Sequence, residues 1–233
     1  LDSVSPSGSI SVNGGASMTS SPVVVLGLSA TESTSPPVNM AFSNDGVTFT
    51  DPEPFAPSRS YLLPSGDEAK TVFVVFTDQA GNNSVYLDAI TLDTTAPGGT
   101  VSIDNGATYT RDVTTTLVLS TTETVGLPLQ MQFSDDGVNY TALEAFAFGK
   151  QWSLPPGDGE KTVYVLYRNA AGLISEPITD TIILDGTAPT ADILIENDAD
   201  FATAVTVTLN LSSTDATSPP VTMQFSNDGK VFT

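Results

Sequence analysis

One phrase occurs three times in this chain, and it constrains the fold more than any other feature. Asn39 to Gly46 reads Asn-Met-Ala-Phe-Ser-Asn-Asp-Gly, Gln130 to Gly137 reads Gln-Met-Gln-Phe-Ser-Asp-Asp-Gly, and Thr222 to Gly229 reads Thr-Met-Gln-Phe-Ser-Asn-Asp-Gly. Phe42, Phe133 and Phe225 are spaced 91 and then 92 residues apart. A period of that length is a whole small domain rather than one turn of a solenoid, so the chain is an array of modules.

The linkers repeat as well. Leu92-Asp93-Thr94-Thr95-Ala96-Pro97 returns as Leu184-Asp185-Gly186-Thr187-Ala188-Pro189, and the chain opens on Leu1-Asp2-Ser3-Val4-Ser5-Pro6. These matches set the expected boundaries: residues 1–2 end an upstream repeat, 3–93 form repeat one, 94–185 repeat two, and 186–233 the N-terminal half of repeat three. Thr233 aligns with Thr50 and Thr141 in mid-repeat, and nothing in the third copy corresponds to Glu144 to Asp185. Half a sandwich cannot bury a core. The expectation is therefore a window on a longer protein, its last half-repeat completed by further residues or by another chain.

Repeat two reads as strands throughout. Thr114 to Ser120 puts Thr115, Leu117 and Leu119 on one face, with Thr116 and Val118 on the other. Leu129, Met131 and Phe133 alternate with Gln130 and Gln132, then Asp135-Asp136-Gly137 turns the chain into Val138 to Thr141. Leu143 to Phe148 and Gln151 to Leu154 follow, split by Gly149. Val163, Val165 and Tyr167 alternate with Tyr164 and Leu166, and Thr179 to Leu184 closes the unit. The period is two, the strands are rich in β-branched and aromatic residues, and no helical period exceeds one turn. About seven short antiparallel strands in about 91 residues predict an all-β chain of immunoglobulin-like sandwiches, arranged as beads on a string.

The Leu-Asp-Thr-Thr-Ala-Pro linkers, the Phe-Ser-Asn-Asp-Gly turns, Gly157 to Val165 (Gly-Asp-Gly-Glu-Lys-Thr-Val-Tyr-Val) and Asp78-Gln79-Ala80-Gly81-Asn82 together resemble the tandem bacterial Ig-like repeats of large exported surface proteins. The resemblance covers both full repeats and the half. It implies the immunoglobulin or fibronectin III-like sandwich and a role that is usually non-catalytic, as an adhesin stalk, a spacer in a secreted enzyme, or another surface module.

Charge excludes several partners. The chain carries 27 acidic residues against 7 basic ones, a net charge of -20, and the acids are spread over all three copies. Nucleic acids and anionic membranes need a positive surface, so neither is an expected partner. No stretch approaches the roughly 20 apolar residues of a membrane span. Cys and His are both absent, which rules out disulfides, thiol chemistry, Ser-His-Asp or Cys-His nucleophiles, and zinc sites built on those ligands. The low Lys and Arg content, with abundant Thr, Ser and Gly, favours an extracellular or bacterial cell-surface location.

The carboxylate pairs Asp135-Asp136 and Asp158/Glu160 sit in Gly-flanked turns, where Asp caps the backbone locally. They read as turn-formers, and the expectation is no enzyme. Metal binding is the better chemical candidate. Strand-connecting loops and the entering linker bring Asp93, Glu123 and Asn169 to one pole of repeat two, Asp2, Glu32 and Asp78 to that of repeat one, and Asp185 and Asp215 to that of repeat three. The preceding domain offers Asp45 and Asp67-Glu68, or Asp136 and Asp158, to the same seam. Carboxylates gathered in this way repel one another unless separated by solvent or bridged by a hard cation with oxygen ligands. Two readings stay open, with no cofactor required by the sequence: the acids are solvated turn-formers, or they hold Ca2+ that stiffens the joint. Asn169 marks where repeat two lacks an acid.

Aromatics recur at equivalent places: Tyr61 with Trp152, Phe55 with Phe146, and Phe49 with Tyr140. Such positions read as core or edge packing rather than a sugar-stacking platform. The linkers are short, and Pro97 and Pro189 restrict the backbone. Each sandwich should extend the array by roughly 35 to 45 Å, from strands of about six residues rising about 3.3 Å each. The functional expectation is a non-catalytic stalk or appendage module of an exported protein. The alternatives are an adhesive or carbohydrate-binding module and a spacer in a secreted enzyme. Its expected partners are neighbouring repeats of the chain, or other copies and surface-structure subunits joined by strand addition into a filament.

Overall fold

The computed structural model describes residues 2–36, 38–218 and 221–232. Every regular element among them is a β-strand. The first copy contains β1 (Ser7–Val12), β2 (Met18–Thr19), β3 (Val23–Thr31), β4 (Asn39–Ser43), β5 (Glu53–Pro54), β6 (Ser58–Leu62), β7 (Glu68–Thr77) and β8 (Asn83–Leu92). They form a three-stranded sheet in the order β1-β3-β6 and a five-stranded sheet in the order β2-β8-β7-β4-β5. The second copy repeats this with β9 (Gly99–Ile103), β10 (Tyr109–Thr110), β11 (Thr114–Thr121), β12 (Gln130–Ser134), β13 (Glu144–Ala145), β14 (Gly149–Ser153), β15 (Gly159–Arg168) and β16 (Ile178–Leu184). Its sheets run β14-β11-β9 and β10-β16-β15-β12-β13. The third copy contributes β17 (Thr190–Ile195) paired with β18 (Leu209–Thr214).

Alternation along the strands produces the sandwich. In β11 the buried residues are Thr115, Leu117 and Leu119, and in β15 they are Val163, Val165 and Tyr167. Because successive side chains point to opposite faces, each sheet presents one apolar face, and the two apolar faces close on each other. The first core joins Val24, Leu26 and Leu28 of β3 to Met40, Phe42, Val72, Val74, Phe76, Ile90 and Leu92 of the facing sheet. The second core is its counterpart, around Ile103, Leu117, Phe133, Val165 and Tyr167. Tyr61 and Trp152 lie on the edge strands β6 and β14 and cover these cores from the side. Trp152 packs on Phe133 with ring centroids 5.4 Å apart and donates its Nε1 proton to Asp135 Oδ1 at 2.8 Å.

Pairing is antiparallel except for β2 with β8 and β10 with β16, two-residue parallel contacts that periodicity does not reveal. Val138 to Thr141 forms no strand; Thr141 instead folds back, accepting the Phe133 amide at its Oγ1. A carboxylate ties the two sheets in each full copy. Asp88 Oδ2 accepts the Val12 amide at 2.7 Å, and Asp180 Oδ2 accepts the Ile103 amide at 2.7 Å. Gly99 has to be glycine, because a Cβ there would collide with the Ser120 carbonyl and the Tyr167 ring.

Candidate functional site

Each pole where the chain enters a sandwich carries a cluster built on the linker Asp. The repeated turns supply less to it than the sequence suggests. Asp45 Oδ1 accepts the amides of Val47 and Thr48 at 2.8 Å and the Ser43 hydroxyl at 2.7 Å. These bonds to its charged form, led by those from Thr48 and Val47, hold its pKa down at about 2. Asp136 repeats the arrangement, and its carboxyl also lies well below the usual range, mainly through the Asn139 amide. Both carboxylates are committed to their own turns.

Asp67 and Asp158 do reach the linkers. Asp67 Oδ1 accepts the Thr94 amide at 2.9 Å and the Thr94 hydroxyl at 2.8 Å, and its Oδ2 accepts the Thr95 hydroxyl at 2.6 Å. The Thr95 hydroxyl, followed by the Thr94 amide and hydroxyl, lowers the Asp67 pKa. Asp158 does the same in the next linker, accepting the Gly186 amide at 2.8 Å and the Thr187 hydroxyl. The preceding sandwich thus grips each linker with one carboxylate.

The following sandwich grips from the other side. Asp93 is buried (1% exposed) and accepts the Thr95 amide at 3.2 Å. Asn169 Nδ2 donates to Asp93 Oδ2 at 2.7 Å and to the Thr95 carbonyl at 3.2 Å, with Glu123 Oε2 at 3.5 Å. The Leu173 amide donates to Asn169 Oδ1 at 2.8 Å, which fixes which end of the amide faces the carboxylates. Burial raises the Asp93 pKa, and the negative charges of Glu123 and Asp67 raise it further against the Thr95 amide. Burial also pushes Glu123 up, but the amides of Gly126, Val125 and Thr124 and the Asn169 amide outweigh it and leave Glu123 below its usual value. Asp67, Asp93, Thr95, Pro97 and Glu123 line a cleft of about 190 Å³ between the two sandwiches.

The first copy solves the same problem with different residues. One carboxylate oxygen each from Asp2, Glu32 and Asp78 lie within 4.8 Å of one another. Ser35 donates its hydroxyl to Asp2, while the Asn82 amide and side chain donate to Asp78, each at 2.9 Å. Burial pushes Asp78 up, but these bonds from Asn82, with help from Ser35, leave it lowered. The positions of Ser35 and Asp78 are taken by Gly126 and Asn169 in copy two. A Cβ on Gly126 would collide with Asp93 Oδ2 and lie 2.7 Å from Asn169 Cβ, so Asn169 fits because residue 126 has no side chain. In copy three Ser218 again donates to Asp185, and Asp215 Oδ1 accepts the amides of Thr217 and Ser218 at 2.9 Å.

Of the sequence candidates, Asp2, Glu32 and Asp78 therefore meet in one place, Asp93 and Glu123 meet across the Asn169 amide, and Asp185 and Asp215 share Ser218. The donor set of copy one fits a hard cation: three oxygens at a spacing that one ion with oxygen ligands at about 2.3–2.6 Å can bridge, plus the Ser35 hydroxyl. In copy two an amide hydrogen already lies between the carboxylates. Ser35, Ser218, Asn82 and Gly126 were not legible as site residues, since each is an ordinary loop residue until the linker Asp is placed beside it.

No protein-family model matches the sequence, and no curated protein matches it. Among solved structures the chain is similar to the fibronectin(III)-like modules of Clostridium thermocellum CbhA, at 14% identity and a TM-score of 0.43, over 75% of this chain and 93% of that one. It is also similar to a 1.5-MDa bacterial ice-binding adhesin, at 15% identity and a TM-score of 0.47, over 83% of this chain and 69% of that one. A tetra-tandem repeat in the extending region of a large adhesion protein matches at 19% identity and a TM-score of 0.32, over 91% of this chain and 57% of that one. No site residue is carried over from any of them.

Proposed function

We propose that this chain is a non-catalytic structural module of an exported bacterial surface protein, a stalk that holds other parts at a distance. The observation that carries this reading is the linker gripped from both sides: Asp67 of the preceding sandwich binds Thr94 and Thr95, and Asn169 of the following one binds Asp93 and the Thr95 carbonyl. A linker whose polar groups are bonded to both neighbours transmits orientation, which a spacer needs and a flexible tether lacks. Calcium at Asp2, Glu32 and Asp78 belongs to the same reading, as the stiffener of the joint where copy one is entered.

The absence of native cysteine makes a direct test simple. Spin labels at Ser60→Cys and Thr179→Cys, one per full sandwich on exposed positions, report the interdomain distance by electron–electron resonance. The expected result is one narrow distance distribution, broadened by Asp67→Ala. A distribution equally broad with and without Asp67 would overturn the stalk reading.

A further inference from the structure

We infer that the outer face of the five-stranded sheet in copy two binds an acidic oligosaccharide, with a uronate carboxylate seated on Arg168. Met131, Phe133 and Tyr167 point into the core, so their neighbours Gln130, Gln132, Leu166 and Arg168 point outward. Gln130 lies opposite Arg168 and Gln132 opposite Leu166, which sets one amide beside the guanidinium and a second one pair along. Arg59 and Lys150 each hold a carboxylate, at 2.6 and 2.7 Å, whereas Arg168 forms no ion pair among the described residues. Its half-buried guanidinium lies against the next turn, one nitrogen 3.7 Å from where a side chain on Gly172 would begin. Two shallow clefts, of about 140 and 380 Å³, meet at Arg168. Gln132, Leu143, Leu166 and Ile174 wall the first, and Pro128, Gln130 and Ala145 the second. Together they fall within the roughly 300–1,000 Å³ of ordinary ligand sites.

The fold does not require these side chains. In copy one the same register pairs Asn39 with Thr77 and Ala41 with Val75, so Thr77, Asn39 and Ala41 occupy the places of Arg168, Gln130 and Gln132. Asn83 faces Thr77 where Ile174 faces Arg168. The same sandwich therefore forms with neither the guanidinium nor the long amides. The class of ligand follows from the groups left free to bind. β12 lies between β13 and β15, and β15 between β12 and β16, so their ladder groups are paired and no peptide strand can be added here. Recognition falls to side chains: a rigid fork matched to a carboxylate, and two amides that each donate and accept, as sugar hydroxyls require. Leu143, Leu166 and Ile174 give the apolar wall against which the C–H face of a sugar ring packs. One unpaired positive charge in a chain of net charge -20 does not match a dense polyanion such as nucleic acid. It matches a glycan with carboxylates at intervals, because acids more than about 8 Å away are screened at physiological salt. This binding goes beyond the stalk reading and does not rest on it.

The test is amide NMR of the isotope-labelled full chain, titrated with a tetrasaccharide alternating glucuronate and N-acetylglucosamine. The expected result is saturable shifts at Gln130, Gln132, Leu166, Arg168 and Ile174, with none at the copy-one places Asn39, Ala41, Val75 and Thr77. Reducing the carboxylates of the probe to alcohols should weaken binding by about tenfold or more, and so should Arg168→Thr, since each removes a hydrogen bond between charged groups. Gln132→Ala should weaken it by about threefold or more, the loss of a neutral hydrogen bond. Both variants install the residue that copy one carries at that place, so copy two stays folded, which the emission of Trp152, the single tryptophan, verifies. No shifts at millimolar probe overturn the proposal, as does equal binding of the reduced probe. Acetate giving the same shifts at the same concentration would also overturn it, leaving a general anion contact. A tetraglutamate peptide binding as tightly would overturn it too, making an acidic peptide the ligand.

Discussion

Replacing Asn169 by alanine tests the junction most directly. The substitution removes donors from Asp93 Oδ2 at 2.7 Å and the Thr95 carbonyl at 3.2 Å, and it orphans the Leu173 amide. The 3.5 Å contact to Glu123 is at the limit of a hydrogen bond and adds little. Losing a hydrogen bond to a buried carboxylate costs about 1.5–3 kcal/mol, and a weaker neutral one about 1, so the second sandwich should lose about 3 kcal/mol. For a domain of this size that is a fall in Tm of about 12–24 °C. Trp152 is the single tryptophan of the chain and lies in copy two, so its fluorescence follows that sandwich alone. The pH dependence gives a second signature. The Asp93 pKa is raised in the folded protein, so the folded state binds a proton before the unfolded one, and this group's contribution to stability grows as pH falls from 7 toward the ordinary value of 3.8. Without the amide the charged form is disfavoured further, so Asn169→Ala should recover part of its loss as pH falls from 7 toward 3.8. A Trp152 midpoint within about 3 °C of the parent at pH 7, in chelator, would show that the amide does not hold the junction.

The swap between copies predicts strong coupling: Gly126→Ser and Asn169→Asp should each destabilise copy two, while the double variant, which rebuilds the copy-one set, should lose clearly less than their sum in a Trp152 melt. With calcium at about 100 times its Kd, the first copy should gain about 2.7 kcal/mol over the chelated protein, and Asp78→Asn should remove that gain; identical calorimetric melts with calcium and with chelator would reject the cation. Phe133 is fully buried in the second core, so Phe133→Ala should cost about 3–5 kcal/mol, read by denaturant unfolding with exchange to localise the effect.

Phe133 also marks how far the sequence could be read. Faces were legible, because Thr115, Leu117 and Leu119 alternate with polar residues and alternation is a property of one strand. Turns were legible for the same reason: the side chains of Ser43 and Asp45 bond to each other and to the amides of Gly46 and Val47, and the same bonds recur at Ser226 and Asp228. Which strand Met131-Gln132-Phe133-Ser134 pairs with is set by β15, far away in the chain, so nothing local displays it. The junction is harder still. On charge alone, Asn169 reads as a lost ligand, a weakening of an acidic cluster. Placed against Asp93 it is the donor that this buried carboxylate requires, and Gly126 is the space that donor occupies. Ser35 meets the requirement in copy one and Ser218 in copy three, from a different loop position than Asn169. What the three junctions share is a loop side-chain donor on the linker Asp, beside the backbone amide two residues on (Val4, Thr95 and Thr187), a constraint on geometry that residue identity at any single aligned position does not display. A buried carboxylate without that donor is costly whatever else surrounds it, so a change at position 126 of copy two is tolerable only with a compensating change at 169.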